Sequence, residues 1–260
     1  MLLNAVIIIL RELVEASLVI SIFLAFSQRF NITRHWLFVG LIIGVSSAIF
    51  YAININTISQ WLDGVGQEVV NAGIHLLIYV VLLLFVIFSL HIKKERVEKF
   101  VIFLMFIGVA LASIREGSEI ILYINGFFRD PALLKPVLFG SLIGAGIGIS
   151  LGIIFYYSLV GLSNNIGAAM GFLLCLLVAG GMVLQATQLL SQADWITSQY
   201  PLWNTSIWIS ESSLMGQLLY ALVGYESTPT LTQVLTYISA VGSMIVLTYL
   251  SKIYALRTLK

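Results

Sequence analysis

The pattern Arg-Glu-x-x-Glu occurs twice, as Arg11-Glu12-Leu13-Val14-Glu15 and as Arg115-Glu116-Gly117-Ser118-Glu119, each inside an apolar segment long enough to cross a membrane. A charge near the bilayer centre costs about 2.5–3.5 kcal/mol on insertion scales, so three in one helix cost roughly 8–10 kcal/mol. Large apolar side chains return about 0.3–0.6 kcal/mol each, and those between Leu2 and Phe26 only just offset the charges. Both copies must therefore face protein or water rather than lipid. Intramembrane charge that recurs in this way reads first as an ion pathway.

The rest of the chain agrees. It is 60% hydrophobic and 10% charged, against about 25% charged in soluble domains, so an all-α integral membrane protein is expected throughout its 260 residues. A net charge of +1 without a dense basic run gives no sign of a nucleic-acid partner; the lipid bilayer is the partner that the composition demands. Cys175 is the one cysteine, which excludes an intrachain disulfide and a cysteine metal cage. The N-terminal apolar run resembles a signal-peptide core, but it lacks a basic leader and is interrupted by Arg11, Glu12 and Glu15. It is expected to stay as a helix.

About 20 apolar residues span the hydrocarbon core. That criterion predicts seven spans, at roughly 2–26, 37–55, 71–91, 100–125, 137–160, 166–190 and 232–254. Leu214–Val223 is apolar but too short to cross, and is expected as an interfacial or re-entrant helix. With the N-terminus outside, the cytoplasmic segments hold Arg29, Arg34, Lys93, Lys94, Arg96, Lys99, Lys252, Arg257 and Lys260, while the outer ones hold only Arg129 and Lys135. The positive-inside rule then predicts N-out, C-in. Trp195, Tyr200, Trp203 and Trp208 in the last outer connection suit a membrane-interface belt.

Spans one and four run in opposite directions in this scheme, yet both carry the motif. Similarity continues into spans two and five, where Gly40-Leu41-Ile42-Ile43-Gly44 matches Gly140-Ser141-Leu142-Ile143-Gly144. A three-plus-three inverted repeat with one extra helix is expected, an architecture common among secondary transporters, with the substrate site where the repeats meet. Within one transmembrane domain over 1–260, repeat 1 takes about 1–92, repeat 2 about 99–190, the outer connection about 191–230 and the last helix about 232–254. Glycines in spans five and six let helices approach closely, and plain packing is the simplest reading of them.

At about 100° per residue, Arg11, Glu12 and Glu15 share one side of a helix, as do Arg115, Glu116 and Glu119. Two such helices would gather four carboxylates and two guanidiniums, a net charge of minus two when all are ionised. Oxygen ligands suit hard cations, and Arg11 and Arg115 would balance charge when no cation is bound. The plainer reading is an Arg–Glu lock that glues the bundle. Against it, each helix carries one carboxylate more than its arginine can neutralise.

These features resemble the oxidase-dependent iron permeases, whose hallmark is Arg-Glu-x-x-Glu in the first and fourth of seven helices. Gly216-Gln217-Leu218-Leu219-Tyr220-Ala221-Leu222-Val223-Gly224-Tyr225, followed by Pro229, is similar to the family's C-terminal stretch. Leu13-Val14 replaces the Gly-Leu of many members, and the long cytoplasmic tail of fungal members is missing, which favours a bacterial type. The resemblance implies iron uptake across the plasma membrane, with Glu12, Glu15, Glu116 and Glu119 as metal ligands. It implies iron as transported substrate with no permanently bound cofactor. It also implies an extracytoplasmic oxidase or iron-binding protein as partner, supplying Fe3+ from Fe2+. No oxidase chemistry is visible in the chain itself, so a transporter rather than an enzyme is expected. Two rivals remain: a permease of the same build for another cation such as lead or manganese, and a non-transporting membrane anchor for an external protein.

Acidic residues at the outer ends could concentrate cations. Glu68, with Asn71 and His75 following at helical spacing, is the leading candidate for an outer vestibule, with Asp63 beside it; an ordinary solvated helix end is the alternative. Asp194, Glu211 and Glu226 belong to the same outer set. Gln185 and Gln188 could line an exit path or simply hydrogen-bond between helices.

Overall fold

The computed structural model describes residues 1–92, 95–197 and 199–257. Within them the chain is almost wholly helical, and the single pairing of extended backbone is an isolated bridge between Pro201 and Thr230. The helices are α1 (Leu2–Arg29), α2 (His35–Ile53), α3 (Ile55–Ser59), α4 (Gly66–Ser89), α5 (Glu95–Asn125), α6 (Pro131–Gly161), α7 (Asn164–Gln192), α8 (Leu214–Val223) and α9 (Leu231–Arg257). By length and apolar composition α2, α4, α5, α6, α7 and α9 can cross a membrane. Helix α1 is as long, but carries the first motif.

Local chemistry sets several boundaries. Asp130 caps α6 by accepting from the Ala132 amide at 3.0 Å, and Pro131 fills the first helical position, where no amide is needed. Ser213 caps α8 through the Gly216 amide at 3.0 Å, and Gly224 ends that helix in the left-handed region at φ 68°. The short helix expected at 214–223 is therefore present. Three helices begin five or six residues earlier than the sequence reading, α4 at Gly66, α5 at Glu95 and α6 at Pro131. Helix α4 begins at Gly66, so Glu68 lies in its first turn rather than ahead of it. The connection before it is folded into α3 and a 3-10 turn at Leu62–Gly64. Of the residues behind the orientation argument, Lys93, Lys94 and Lys260 lie outside the described residues.

Packing follows the small residues. Helix α2 lies along α5, and α6 along α1. A Cβ on Gly44 would come within 2.5 Å of Ser113 Cβ, and one on Gly144 within 2.5 Å of the Val6 carbonyl oxygen. Gly40 meets Val109, and Gly140 meets Ala5. Gly148 faces Leu13, as Ala48 faces Gly117. Relative to the arginine of its own motif, Ala5 stands where Val109 does, and Leu13 where Gly117 does. Helix α4 packs on α7, and α1 touches α5 where the motifs lie. Beside that contact Leu18, Phe23, Phe85 and Met105 form a closed apolar core. The outer faces of α2 and α6 instead expose Phe38, Ile42, Phe50, Phe139 and Leu142, more apolar surface than water tolerates and what a bilayer would cover.

Candidate functional site

Helices α1 and α5 bring all six charged motif residues together. Arg11 Nη2 stands 2.9 Å from Glu12 Oε1 and 4.0 Å from Glu119 Oε2, and its Nε is 3.7 Å from Glu15 Oε1. Arg115 Nη1 lies 2.7 Å from Glu119, 3.6 Å from Glu116 and 3.9 Å from Glu12. Each guanidinium therefore bridges carboxylates of its own helix and of the other. Glu12, Glu15, Glu116 and Arg115 are buried. The Arg11 and Glu119 side chains retain 29% and 28% exposure, which makes them the two members that face open space.

That space is a cavity of about 230 Å³ lined by Arg11, Arg115, Glu119, Gln185, Gln188 and Tyr220 among others. Gln185 Nε2 donates to Glu15 Oε2 at 3.0 Å, which makes it a tether from α7 to the first motif. The Tyr220 ring, on α8, lies 5.1 Å from the Arg11 guanidinium, within cation–π range. Its hydroxyl donates to Gln188 Oε1 at 3.3 Å. Sequence reasoning flagged both glutamines but missed Tyr220, whose ring in an apolar stretch carries no polar periodicity to mark it.

The donor set suits a cation. Oxygens of Glu12, Glu116 and Glu119 lie within 4.8 Å of one another. Metal–oxygen bonds of about 2.0–2.2 Å place ligand oxygens roughly 3–4 Å apart, so small rotamer shifts would complete three contacts. Glu12 Oε2, Glu15 Oε1 and Glu116 Oε2 are buried without a hydrogen-bond partner, as are Nε of both arginines. Arg115 Nη1 is close to Glu119 but is not aligned for a hydrogen bond. Leaving such groups unsatisfied costs about 1–3 kcal/mol each, more when charged.

The Iron permease FTR1 family matches residues 2–259. The chain belongs to that family. It is a family of permeases, which move a substrate rather than convert one, and membership makes this a multi-pass protein of the plasma membrane concerned with iron transport. The chain is 26% identical over 251 residues to the "Ferrous iron permease EfeU" of Escherichia coli O6:H1 (strain CFT073), covering 87% of this chain and 88% of the relative. Identity and coverage are the same for the protein of that name from Shigella sonnei (strain Ss046). Over 129 residues it is 29% identical to that of Shigella flexneri, covering 48% of this chain and 54% of the relative. No solved structure matches the chain significantly.

The vestibule candidates are dispersed. Asp63 is exposed, in the turn before α4, with φ 63°. Glu68 is half-buried and its Oε2 has no partner. His75 has no exposed surface; its Nδ1 pairs with the Asn71 carbonyl at 2.8 Å, and Asn71 Oδ1 accepts from Tyr51 at 2.9 Å. Asp194 is exposed, and Glu211 is held by the Ser227 amide and hydroxyl at 2.6 and 2.7 Å. Burial pushes Glu226 above the usual carboxylate range; the nearby Gln233 side chain opposes the rise and Glu211 adds to it.

Proposed function

We propose that this chain takes up iron across the plasma membrane, and that its path runs through one cation site shared by the two motifs. Glu12, Glu15, Glu116 and Glu119 are its ligands, and Arg11 and Arg115 are its counter-charges in the absence of metal. The observation that carries this reading is the set of buried carboxylate oxygens without hydrogen-bond partners at the α1–α5 contact. An Arg–Glu lock built for stability would satisfy its own acceptors. Crowded carboxylates instead gain from an incoming cation, whose charge offsets their repulsion. Each guanidinium can then swing toward the carboxylates that the metal leaves free.

The wider scheme has seven spans, with α1 among them, an N-out, C-in orientation, and one transmembrane domain built as a three-plus-three inverted repeat plus α9. Matching glycine contacts of α2 on α5 and α6 on α1, in register with each motif, support the repeat. Arg29 donates to the Leu159 carbonyl at 2.9 Å and Arg34 to Tyr156 at 3.1 Å, which gathers basic residues at one end of the bundle as a cytoplasmic face requires. Rocking of one repeat against the other would expose the shared site to each side in turn. Iron arrives as Fe3+ produced outside by an oxidase partner, a reading that the oxygen-only ligand set favours. Asp63 and Glu68 belong to the approach to this site rather than to its first contacts; His75, expected beside them, has no exposed surface and cannot meet an ion there.

Radioactive iron uptake into vesicles tests the reading. Glu15→Gln and Glu119→Gln, at unchanged membrane levels, are each expected to reduce uptake to background. Undiminished uptake in both would leave the motifs as glue.

A further inference from the structure

A second cavity, of about 300 Å³, lies where α8 ends and α9 begins, with Trp203, Thr205, Gly224, Tyr225, Glu226 and Tyr237 in its wall. Among its described lining residues Glu226 is the one carboxylate, and none is basic. Glu226 Oε2 is buried without a hydrogen-bond partner. The other oxygen, Oε1, accepts from Gln188 Nε2 at 3.4 Å. Gln188 also lines the motif cavity, where its own Oε1 accepts from Tyr220. One glutamine thus links the two cavities: it lines the motif cavity, where it accepts from the Tyr220 hydroxyl, and donates to the carboxylate in the wall of the other.

Electrostatics give this link a direction. Helix α8 ends at Gly224, two residues before Glu226. A helix C-terminus carries partial negative charge, and a carboxylate beside it is unfavourable unless a cation offsets both. The other outer acids differ: Asp63 and Asp194 are exposed, Ser227 occupies Glu211, and Glu68, which also keeps an unpartnered oxygen, lies in the first turn of α4, where the helix N-terminus favours a carboxylate. A single-sign cleft with apolar walls concentrates counter-ions, by a factor of roughly 10–1,000 in favourable cases.

We propose that Glu226 and Gln188 form a threshold for the incoming iron cation. Glu226 takes the ion with the last carbonyls of α8. As the carboxylate turns to the metal, Gln188 is released and the way opens into the motif cavity. The proposal rests on the motif cluster being the transport site, and it adds a specific first contact on the side of the 193–230 connection.

Iron uptake by vesicles carrying the full chain separates the two ideas. Glu226→Gln keeps the shape and removes the charge; it is expected to raise the half-saturating iron concentration about tenfold, with maximal rate within about twofold, the signature of lost binding rather than lost turnover. Glu226→Asp is expected to restore most of the affinity. Glu119→Gln, assayed alongside, is expected to abolish uptake. Abolished uptake in Glu119→Gln with an unchanged half-saturation in Glu226→Gln would overturn the threshold and leave the motif site standing. A Glu226→Gln effect confined to membrane level and maximal rate would overturn it too, since that is how a purely structural residue behaves. Uptake that survives Glu119→Gln would remove the motif site and the threshold with it.

Discussion

The two motif copies have the same charged residues and opposite exposures. In α1 the arginine faces the cavity while Glu12 and Glu15 are buried; in α5 the arginine and Glu116 are buried while Glu119 faces the cavity. Equivalent sequence therefore brings a guanidinium to the cavity from one helix and a carboxylate from the other. The difference comes from what each helix packs against. Helix α1 meets α8, whose Tyr220 holds Arg11 outward, and α7, whose Gln185 draws Glu15 inward. A repeat that was symmetric in every contact would have two mouths or none. In the proposed repeat α8 is the element without a counterpart, and its Tyr220 lines the cavity on the Arg11 side.

The largest effect is expected deepest in the cluster. Glu12→Gln or Glu116→Gln removes a fully buried carboxylate from the crowded group, and each should lower iron uptake by more than the roughly 10–100-fold that a supporting residue costs. Equal losses would make the copies one site, whereas a loss in only one copy would break the comparison. Next come the arginines. Arg115→Ala leaves three carboxylates facing one another without their buried partner, and removing one member of such a group costs about 3–5 kcal/mol. Arg11, more exposed, should be tolerated far better. Thermal unfolding of the two purified variants checks this, with the lower midpoint expected for Arg115→Ala.

Glycines sharpen the comparison from the packing side. Gly44→Ala and Gly144→Ala force a methyl group against a neighbouring helix and should each destabilise by about 1–3 kcal/mol. Gly146→Ala, with nothing within 4 Å of the added methyl, should be neutral or slightly stabilising. Similar losses at Gly44 and Gly144 in thermal unfolding would support the repeat, and unequal ones would weaken it. The smallest effect is expected from Tyr220→Phe, which keeps the ring over Arg11 and loses only the Gln188 hydrogen bond. Tyr220→Leu removes the cation–π contact as well, worth about 0.5–2 kcal/mol. Uptake should fall severalfold in the second and little in the first.

The main features of this arrangement were legible in the sequence because intramembrane charge has few affordable settings. The motif pair predicted helices α1 and α5 in contact, and the glycines of span five, Gly140 and Gly144 among them, predicted a close approach by α6; Gly40 and Gly44 entered only as their counterparts in the repeat. Leu214–Val223, too short to cross, predicted α8. Less legible was anything that depended on tertiary partners. Tyr220 looked like one more aromatic side chain in an apolar stretch, and nothing local links it to Arg11, far away in the chain. Gln185 was marked as an intramembrane polar group, but its pairing with Glu15 depends on how α7 crosses α1. The sequence put Glu68 first among the outer acids and did not separate Glu211 from Glu226. Burial and hydrogen bonding separate them, since Glu211 is engaged by Ser227 while Glu226 keeps an unpartnered oxygen.

Whether the two motifs make one shared site is tested most directly by equilibrium iron binding to the purified protein and its Glu12→Gln, Glu116→Gln and doubly substituted forms. One shared site requires each single substitution to abolish high-affinity binding and the double substitution to do no further harm. Retention of half the bound iron in each single variant, with complete loss only in the double, would show two independent sites and contradict it.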